Sequence, residues 1–200
     1  TIATDYALIT RNDVPYKTLN ELKSYLDKTK EKPSYAMETG GIAHVLSNAI
    51  QKKMGVEFFP VDIGGAAAKI AALKGKHVDI ISIPYILAKD YIEIGEFVCL
   101  GIFGKERNPL VPEIPTLKEQ GVDVSYEIFN FIAFPKETPD QIVNTFSEAI
   151  KTVSTNKDYI NDMAKYHNLV NYLSPSEATK YMKNVENDLR TYVDDLKKGK

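Results

Sequence analysis

From residue 6 to residue 103, short β-branched and aromatic runs alternate with amphipathic stretches of about ten residues. No other feature restricts the fold as strongly. Residues 6–9, Ser34–Met37, 56–61, 78–83 and 97–103 read as strands. Helical signals fill the gaps. Thr18-Leu19-Asn20-Glu21 is a capping box followed by Leu19, Leu22 and Leu26 at helical spacing. Ile42, Val45, Leu46, Ala49 and Ile50 share one helical face that ends at Gly55, and Ala66–Lys74 runs from Gly64-Gly65 to Gly75. Residues 84–94 read as a further helix. Strands joined by such helices need right-handed crossovers, so the pattern predicts an α/β fold with a largely parallel sheet.

After Gly104 the pattern changes. Residues 108–115 contain three prolines and read as a rigid loop. Thr116-Leu117-Lys118-Glu119 is a second capping box and predicts a short helix closed by Gly121. Residues 124–134 are apolar enough for a strand crossing between two bodies. Helices are expected to start at Thr138-Pro139-Asp140-Gln141 and at Ser174-Pro175-Ser176-Glu177, with proline at the first helical position. The first carries the stripe Ile142, Phe146, Ala149, Ile150, Val153. The last carries Ala178, Tyr181, Met182, Val185, Leu189, Tyr192, Val193 and Leu196. Only one short strand, near residues 169–172, accompanies them. That is too little sheet for an α/β lobe, so these stripes require another surface to cover.

Composition narrows the function. A net charge of -2 gives no electrostatic footprint for nucleic acid. No apolar run approaches the ~20 residues of a membrane-spanning helix. The single cysteine, Cys99, allows no intrachain disulfide and sits in an apolar run, where it is expected as a small buried hydrophobe. His44, His77 and His167 lack metal-ligand spacing. No nucleophile elbow, phosphate loop or dinucleotide fingerprint is present. Asp194-Asp195 falls on a solvated terminal helix. The chain begins at Thr1, which is read as a start after a processing or engineered boundary. These absences favour binding over catalysis, with no cofactor and no metal expected.

Ligands of open α/β sheets bind beyond the carboxyl ends of the strands, where loops enter helices. Two loops qualify, Met37-Glu38-Thr39-Gly40-Gly41-Ile42-Ala43-His44 and Val61-Asp62-Ile63-Gly64-Gly65-Ala66. A glycine pair before a helix lets backbone N–H groups approach an anion, although such a pair is also commonly a plain tight turn. The candidate ligand-binding set is Thr39, Gly40, Gly41, Ile42, Asp62, Gly64, Gly65 and Ala66, with Ser82 at the end of the 78–83 strand and Tyr85 beyond it. His44 reads first as a capping or packing residue. Phe58-Phe59 and residues 129–131 read as core aromatics rather than a ligand platform.

At the proline-rich loop a specific pattern emerges. Arg107-Asn108-Pro109-Leu110-Val111-Pro112-Glu113-Ile114-Pro115-Thr116-Leu117-Lys118-Glu119-Gln120-Gly121 resembles the Arg-x-Pro-x-x-Pro-x-Val/Ile-Pro-Thr-x-x-Glu-x-Gly signature of tripartite tricarboxylate transporter (Bug-type) receptors. Other segments are similar in order and spacing. Thr18-Leu19-Asn20-Glu21-Leu22 resembles the family's entry helix, and Ser34-Tyr35 through His44 its Tyr-Gly-Ser…Gly…Ser-His loop. Gly65 through Val78-Asp79 resembles its Gly-x-x-x-Ala…Gly-x-Val-Asp run. Phe134-Pro135-Lys136-Glu137-Thr138-Pro139 resembles its Ala-Pro-x-Gly-Thr-Pro turn.

The resemblance implies a type II periplasmic-binding-protein-like fold whose lobes close on a small carboxylated solute and deliver it to a membrane permease. It implies a chain lacking the roughly one hundred N-terminal residues of the family. Residues 3–124 would be a complete second lobe with a mixed, mostly parallel sheet. Residues 125–200 would be the crossing strand and the C-terminal helical part of a first lobe only partly present. The implied function is a non-enzymatic extracytoplasmic receptor, periplasmic or tethered to the outer face of the cell membrane, for a small carboxylate or amino-acid-like metabolite. Its partners would be the solute and the permease subunits. A ligand-sensing or interaction domain without a transport role is the alternative. The family's Pro-aromatic before the second loop glycine is Asp62-Ile63 here. The first loop is one residue shorter and carries Glu38, and Phe129-Asn130-Phe131 stands in place of Trp-x-Gly. Two acids at an anion site raise the cost of a carboxylate, so either they turn away or the solute carries a positive group.

Overall fold

The computed structural model describes residues 2–198, with side chains described from residue 4 to residue 193. Leu196 of the last stripe and the Asp194-Asp195 pair lie outside the described side chains. The strands are β1 (Ile2–Arg11), β2 (Ser34–Met37), β3 (Phe59–Asp62), β4 (Ile80–Pro84), β5 (Phe97–Ile102), β6 (Glu127–Phe129) and β7 (Leu169–Val170). The helices are α1 (Leu19–Thr29), α2 (Ile42–Met54), α3 (Ala66–Lys74), α4 (Lys89–Glu93), α5 (Asp140–Ser154), α6 (Lys157–Lys165) and α7 (Pro175–Lys198). The chain divides into two compact units. One is built on Asp5–Glu127 and the other on Ile128–Thr191 with the first residues of β1.

In the larger unit the sheet order is β3-β2-β4-β1-β5. β2 runs parallel to both β3 and β4, while β1 is antiparallel to its neighbours β4 and β5. The sheet is therefore mixed and mostly parallel, with β1 the one reversed strand among these five. Alternate residues of each strand point to opposite faces. Ala7, Ile9, Ile81 and Ile83 face one way and form a cluster with Leu73, Val78, Phe97, Ile102, Val111 and Ile114. Leu8 and Ile80 face the other way, and Leu19, Leu22, Leu46 and Ile50 of α1 and α2 are buried just as completely. Each such side chain contributes about 1.5–3 kcal/mol of transfer free energy.

The caps follow the sequence. Thr18 Oγ1 accepts the Glu21 N–H, and the Glu21 carboxylate accepts the Lys17 N–H at 2.6 Å. Gly55 ends α2 in the left-handed conformation with φ 67°. Several elements depart from expectation. Thr116 and Glu119 exchange both capping-box bonds, at 2.8 and 3.0 Å, but only turns follow. The next residues run straight into Gly121 at φ 85°, leaving no room for a helix. Residues 84–94 form a 3-10 turn, Tyr85–Leu87, and the short α4. Of residues 124–134 only Glu127–Phe129 is strand, and β3 starts at Phe59, since Pro33 and Phe59 pair first. Pro139 is the residue before α5, so the helix begins at Asp140.

The signature loop is a staple. Arg107 Nε donates to both Glu119 oxygens at 2.9 Å, and Arg107 Nη1 donates to Pro112 O. The buried Asn108 amide donates to Asp5 of β1 at 2.5 Å. These bonds seat Val111, Ile114 and Leu117 in the core.

In the smaller unit β7 pairs with the start of β1, Ile2 opposite Val170. Phe129 meets Tyr181 edge-on at 5.1 Å, and Phe134 meets Phe146 at 5.5 Å. Among the described residues, none beyond Val124 is buried. Ile142, Phe146 and Val153 of α5 are 54%, 41% and 45% exposed. An apolar stripe this open favours association. Light scattering of the 200-residue chain at high concentration is expected to show species heavier than a monomer, and Phe146→Lys is expected to reduce them. A strictly monomeric wild-type chain contradicts this expectation.

Candidate functional site

The site is assembled by the register of β2 and β3. Met37 lies opposite Asp62, so the two glycine loops leave the sheet side by side from the carboxyl ends of parallel strands. The Ile63 N–H donates to Met37 O at 2.8 Å and holds the loops together one step beyond the ladder. Each loop then enters a helix, α2 of 13 residues and α3 of 9. Both helix N-termini carry a partial positive charge and unsatisfied N–H groups.

Glycine is required here at two positions. Gly40 has φ 81° and Gly65 has φ 63°, both in the region that residues with a Cβ rarely adopt. A Cβ at either would meet nothing within 4 Å, so the constraint is conformational rather than steric.

The predicted loop residues do come together, but much of their hydrogen-bonding capacity is used inside the chain. The Gly40 N–H donates to His44 Nδ1 at 3.2 Å, which makes His44 the cap anticipated for it. The Gly41 N–H donates to Glu38 O at 2.9 Å. Thr39 Oγ1 donates to Asp62 Oδ2 at 2.5 Å and ties one loop to the other. Glu38 turns across to the second loop, where Oε1 accepts the Gly65 N–H at 3.0 Å and Oε2 accepts Lys69 Nζ at 2.8 Å. Ile42 and Ala66 open α2 and α3, and Gly64 precedes Gly65 at the loop tip.

Lys69 is the residue that reading the sequence missed. Its side chain is 2% exposed, whereas that of Glu38 is 39% exposed. The available signal was its spacing: Lys69, Ala72 and Leu73 form the buried stripe of α3, so a lysine occupies a core position. A charge there requires a partner, and Glu38 is that partner. Burial acts to raise the Glu38 carboxyl. The Lys69 and backbone N–H bonds, with the lysine charge, outweigh it and hold the carboxyl below the ordinary glutamate value.

Ser82 lies within β4, fully buried. Its hydroxyl pairs with the Tyr35 hydroxyl, and its carbonyl accepts Tyr6 Oη at 2.8 Å. The hydroxyl is therefore not open to a solute in this conformation. Burial chiefly pushes both tyrosines well above their ordinary values, so they stay neutral. Tyr85 is also buried. Phe58 stacks on Tyr35 at 5.5 Å as a core aromatic, whereas Phe59 and Phe131 are 61% and 51% exposed and are not core. They sit at an edge strand and in the segment after β6, where no layer covers them. Burial pushes the Cys99 thiol up to about 12, so it is not poised as a nucleophile. Among the described residues no group of three potential metal ligands converges. Among the described residues no helix is long and apolar enough to cross a membrane.

The carboxyl edge of the sheet, where these two glycine loops lie, is the side on which open α/β sheets bind ligands. The chain belongs to the tripartite tricarboxylate transporter family receptors, whose profile matches residues 2–196. It is 32% identical over 151 residues to an UPF0065 protein of Bordetella pertussis, covering 74% of this chain and 46% of that protein. An UPF0065 protein of Cupriavidus necator is 27% identical over 179 residues, covering 88% and 54%. The chain thus spans about half the length of these curated relatives. Similar solved structures include a TctC solute binding protein from Polaromonas (23% identity, TM-score 0.78, 98% of this chain and 68% of that one). An R. palustris protein solved with adipate (19%, 0.81, 98% and 65%) and MatC of Rhodopseudomonas palustris with bound malate (20%, 0.75, 96% and 66%) share the fold. The family is one of receptors and not of enzymes.

Proposed function

We propose that this chain is part of an extracytoplasmic receptor that captures a small carboxylate or amino-acid-like metabolite for a tripartite tricarboxylate-type membrane transporter. One observation carries the reading: the parallel register of β2 and β3 sets two glycine loops and two helix N-termini side by side. Adipate and malate in proteins of the same fold support the solute class. Residues 3–124 act as one lobe, and residues 125–200 belong to the other. Thr39, Gly40, Gly41, Ile42, Asp62, Gly64, Gly65 and Ala66 line one end of the solute site. Ser82 backs that site from within β4. The permease subunits of the transporter are the partners.

The reading is tested in a receptor that contains this chain. Gly40→Val and Gly65→Val each force a β-branched residue to positive φ, at a cost of about 1–2 kcal/mol, which predicts roughly tenfold weaker solute binding. Calorimetry against the native solute measures it. Unchanged affinity in both variants overturns the site. Binding that survives while uptake is unaffected by loss of the receptor favours a sensing role instead.

A further inference from the structure

The two acids at the loops were an obstacle to a carboxylate ligand, and the structure shows what one of them does. Glu38 lies where an anion at the N-terminus of α3 would lie. It accepts the Gly65 N–H with one oxygen and Lys69 with the other. The second observation is independent of the helix end. Lys69 is 2% exposed, and Glu38 is the partner that neutralises it. A buried ammonium does not tolerate loss of its counter-charge, so Glu38 is held in place from below while its outer side stays open to solvent.

We propose that Glu38 is a specificity-determining residue: a tethered carboxylate that fills the anion position of the second glycine loop and excludes a solute carboxylate from it. This rests on the receptor reading and deepens it. The solute end lodged at α3 is then uncharged or positively charged, and any carboxylate of the solute lies elsewhere in the site. A carboxylate brought to Gly65 finds its N–H taken and meets the charge of Glu38 at short range, with Asp62 on the neighbouring strand end.

The first arm of the test needs no solute. In the 200-residue chain the Gly65 amide proton is followed by NMR. It is expected to follow a single acid-range titration that disappears in Glu38→Gln. Asp62 and His44 lie beside these loops and remain in the variant, so a response that persists overturns the contact. Up to ~50 mM acetate is expected to leave the wild-type Gly65 resonance unmoved and to shift it saturably in Glu38→Ala, where Lys69 and the N–H are both vacated. Saturable acetate binding at Gly65 in the wild type overturns the proposal. If Glu38→Ala fails to fold, Glu38→Ala/Lys69→Met removes both charges. That variant is expected to lose the acid titration of the Gly65 amide. An acid titration that survives in it is again a refutation.

The second arm uses a receptor containing this chain, with adipate and its monoamide as probes. The monoamide is expected to bind at least as tightly as adipate to the wild type. Adipate is expected to gain about tenfold over the monoamide in Glu38→Ala. A wild-type preference for adipate that Glu38→Ala abolishes overturns the proposal. If neither probe binds any variant, adipate-like solutes are excluded and the solute claim falls, while the Gly65 amide still reports whether Glu38 occupies the helix end.

Discussion

Glu38→Ala is expected to destabilise the chain by about 3 kcal/mol, and Lys69→Met by less than about 1 kcal/mol. The two residues form one ion pair, so symmetric losses would be the simple expectation. Burial breaks the symmetry. With Glu38 removed, Lys69 stays at 2% exposure and has lost its counter-ion. With Lys69 replaced by methionine, the core position is filled by an apolar side chain of similar volume. Glu38, 39% exposed, then remains hydrated and still accepts the Gly65 N–H. Urea denaturation of both variants measures the difference, and equal losses contradict the assignment of Lys69 as the buried partner. Acidity adds a signature. The Glu38 carboxyl is held below the ordinary glutamate value, so its stabilisation is present above that value and is lost as pH falls through the lowered one. Wild type and Glu38→Gln are therefore expected to converge in stability toward strongly acidic pH and to separate above the ordinary glutamate range.

Asp79→Ala is the second large effect, again about 3 kcal/mol, or a fall in Tm of about 6–12 °C for a chain of this size. Asp79 precedes β4 and ties three strands at the edge of the sheet opposite the glycine loops. Its Oδ2 accepts both the N–H and the hydroxyl of Ser34 at 2.9 and 2.7 Å, and its Oδ1 accepts Arg11 Nη2 at 3.2 Å. The Asp79 N–H returns to Ser34, and its carbonyl accepts Thr10 Oγ1 at 2.8 Å. Removing the carboxylate leaves the first N–H of β2 without its acceptor and takes one of two counter-charges from the mostly buried Arg11, which is 14% exposed and keeps Asp13 at 2.8 Å. Asp79→Asn keeps the shape and one acceptor and is expected to lose about half as much. Thermal melts of the two variants test this. An Asp79→Ala protein that melts with the wild type would show that backbone pairing alone holds this edge.

Much of the larger unit was legible in advance because the Thr18 cap, Gly55 and the glycine pairs are local signals, and each acts within a few residues of where it is written. Asp79 is the opposite case, since its partners Ser34, Arg11 and Thr10 lie far away in sequence. Strand–helix alternation then leaves few topologies, because crossovers have one hand. The local rules failed where no neighbour in sequence decides. Thr116 and Glu119 form a complete capping box, yet Gly121 and the packing of Leu117 stop a helix from following. The smaller unit was legible as helices, while the exposure of Ile142, Phe146 and Val153 depends on what surrounds them in space.

The two glycine loops are where sequence and tertiary structure divide. The residues by themselves determined that two Gly-Gly turns precede two helices, since positive φ at Gly40 and Gly65 and the helix periodicity after them are properties of short segments. They also displayed Glu38 and Asp62 as acids in those turns. What the acids do is set by a strand register and a helix orientation. These bring Thr39 to Asp62 across 23 positions, and Glu38 to Gly65 and Lys69 across 27 and 31. Charge acts through distance and burial, and both are fixed only when the sheet closes.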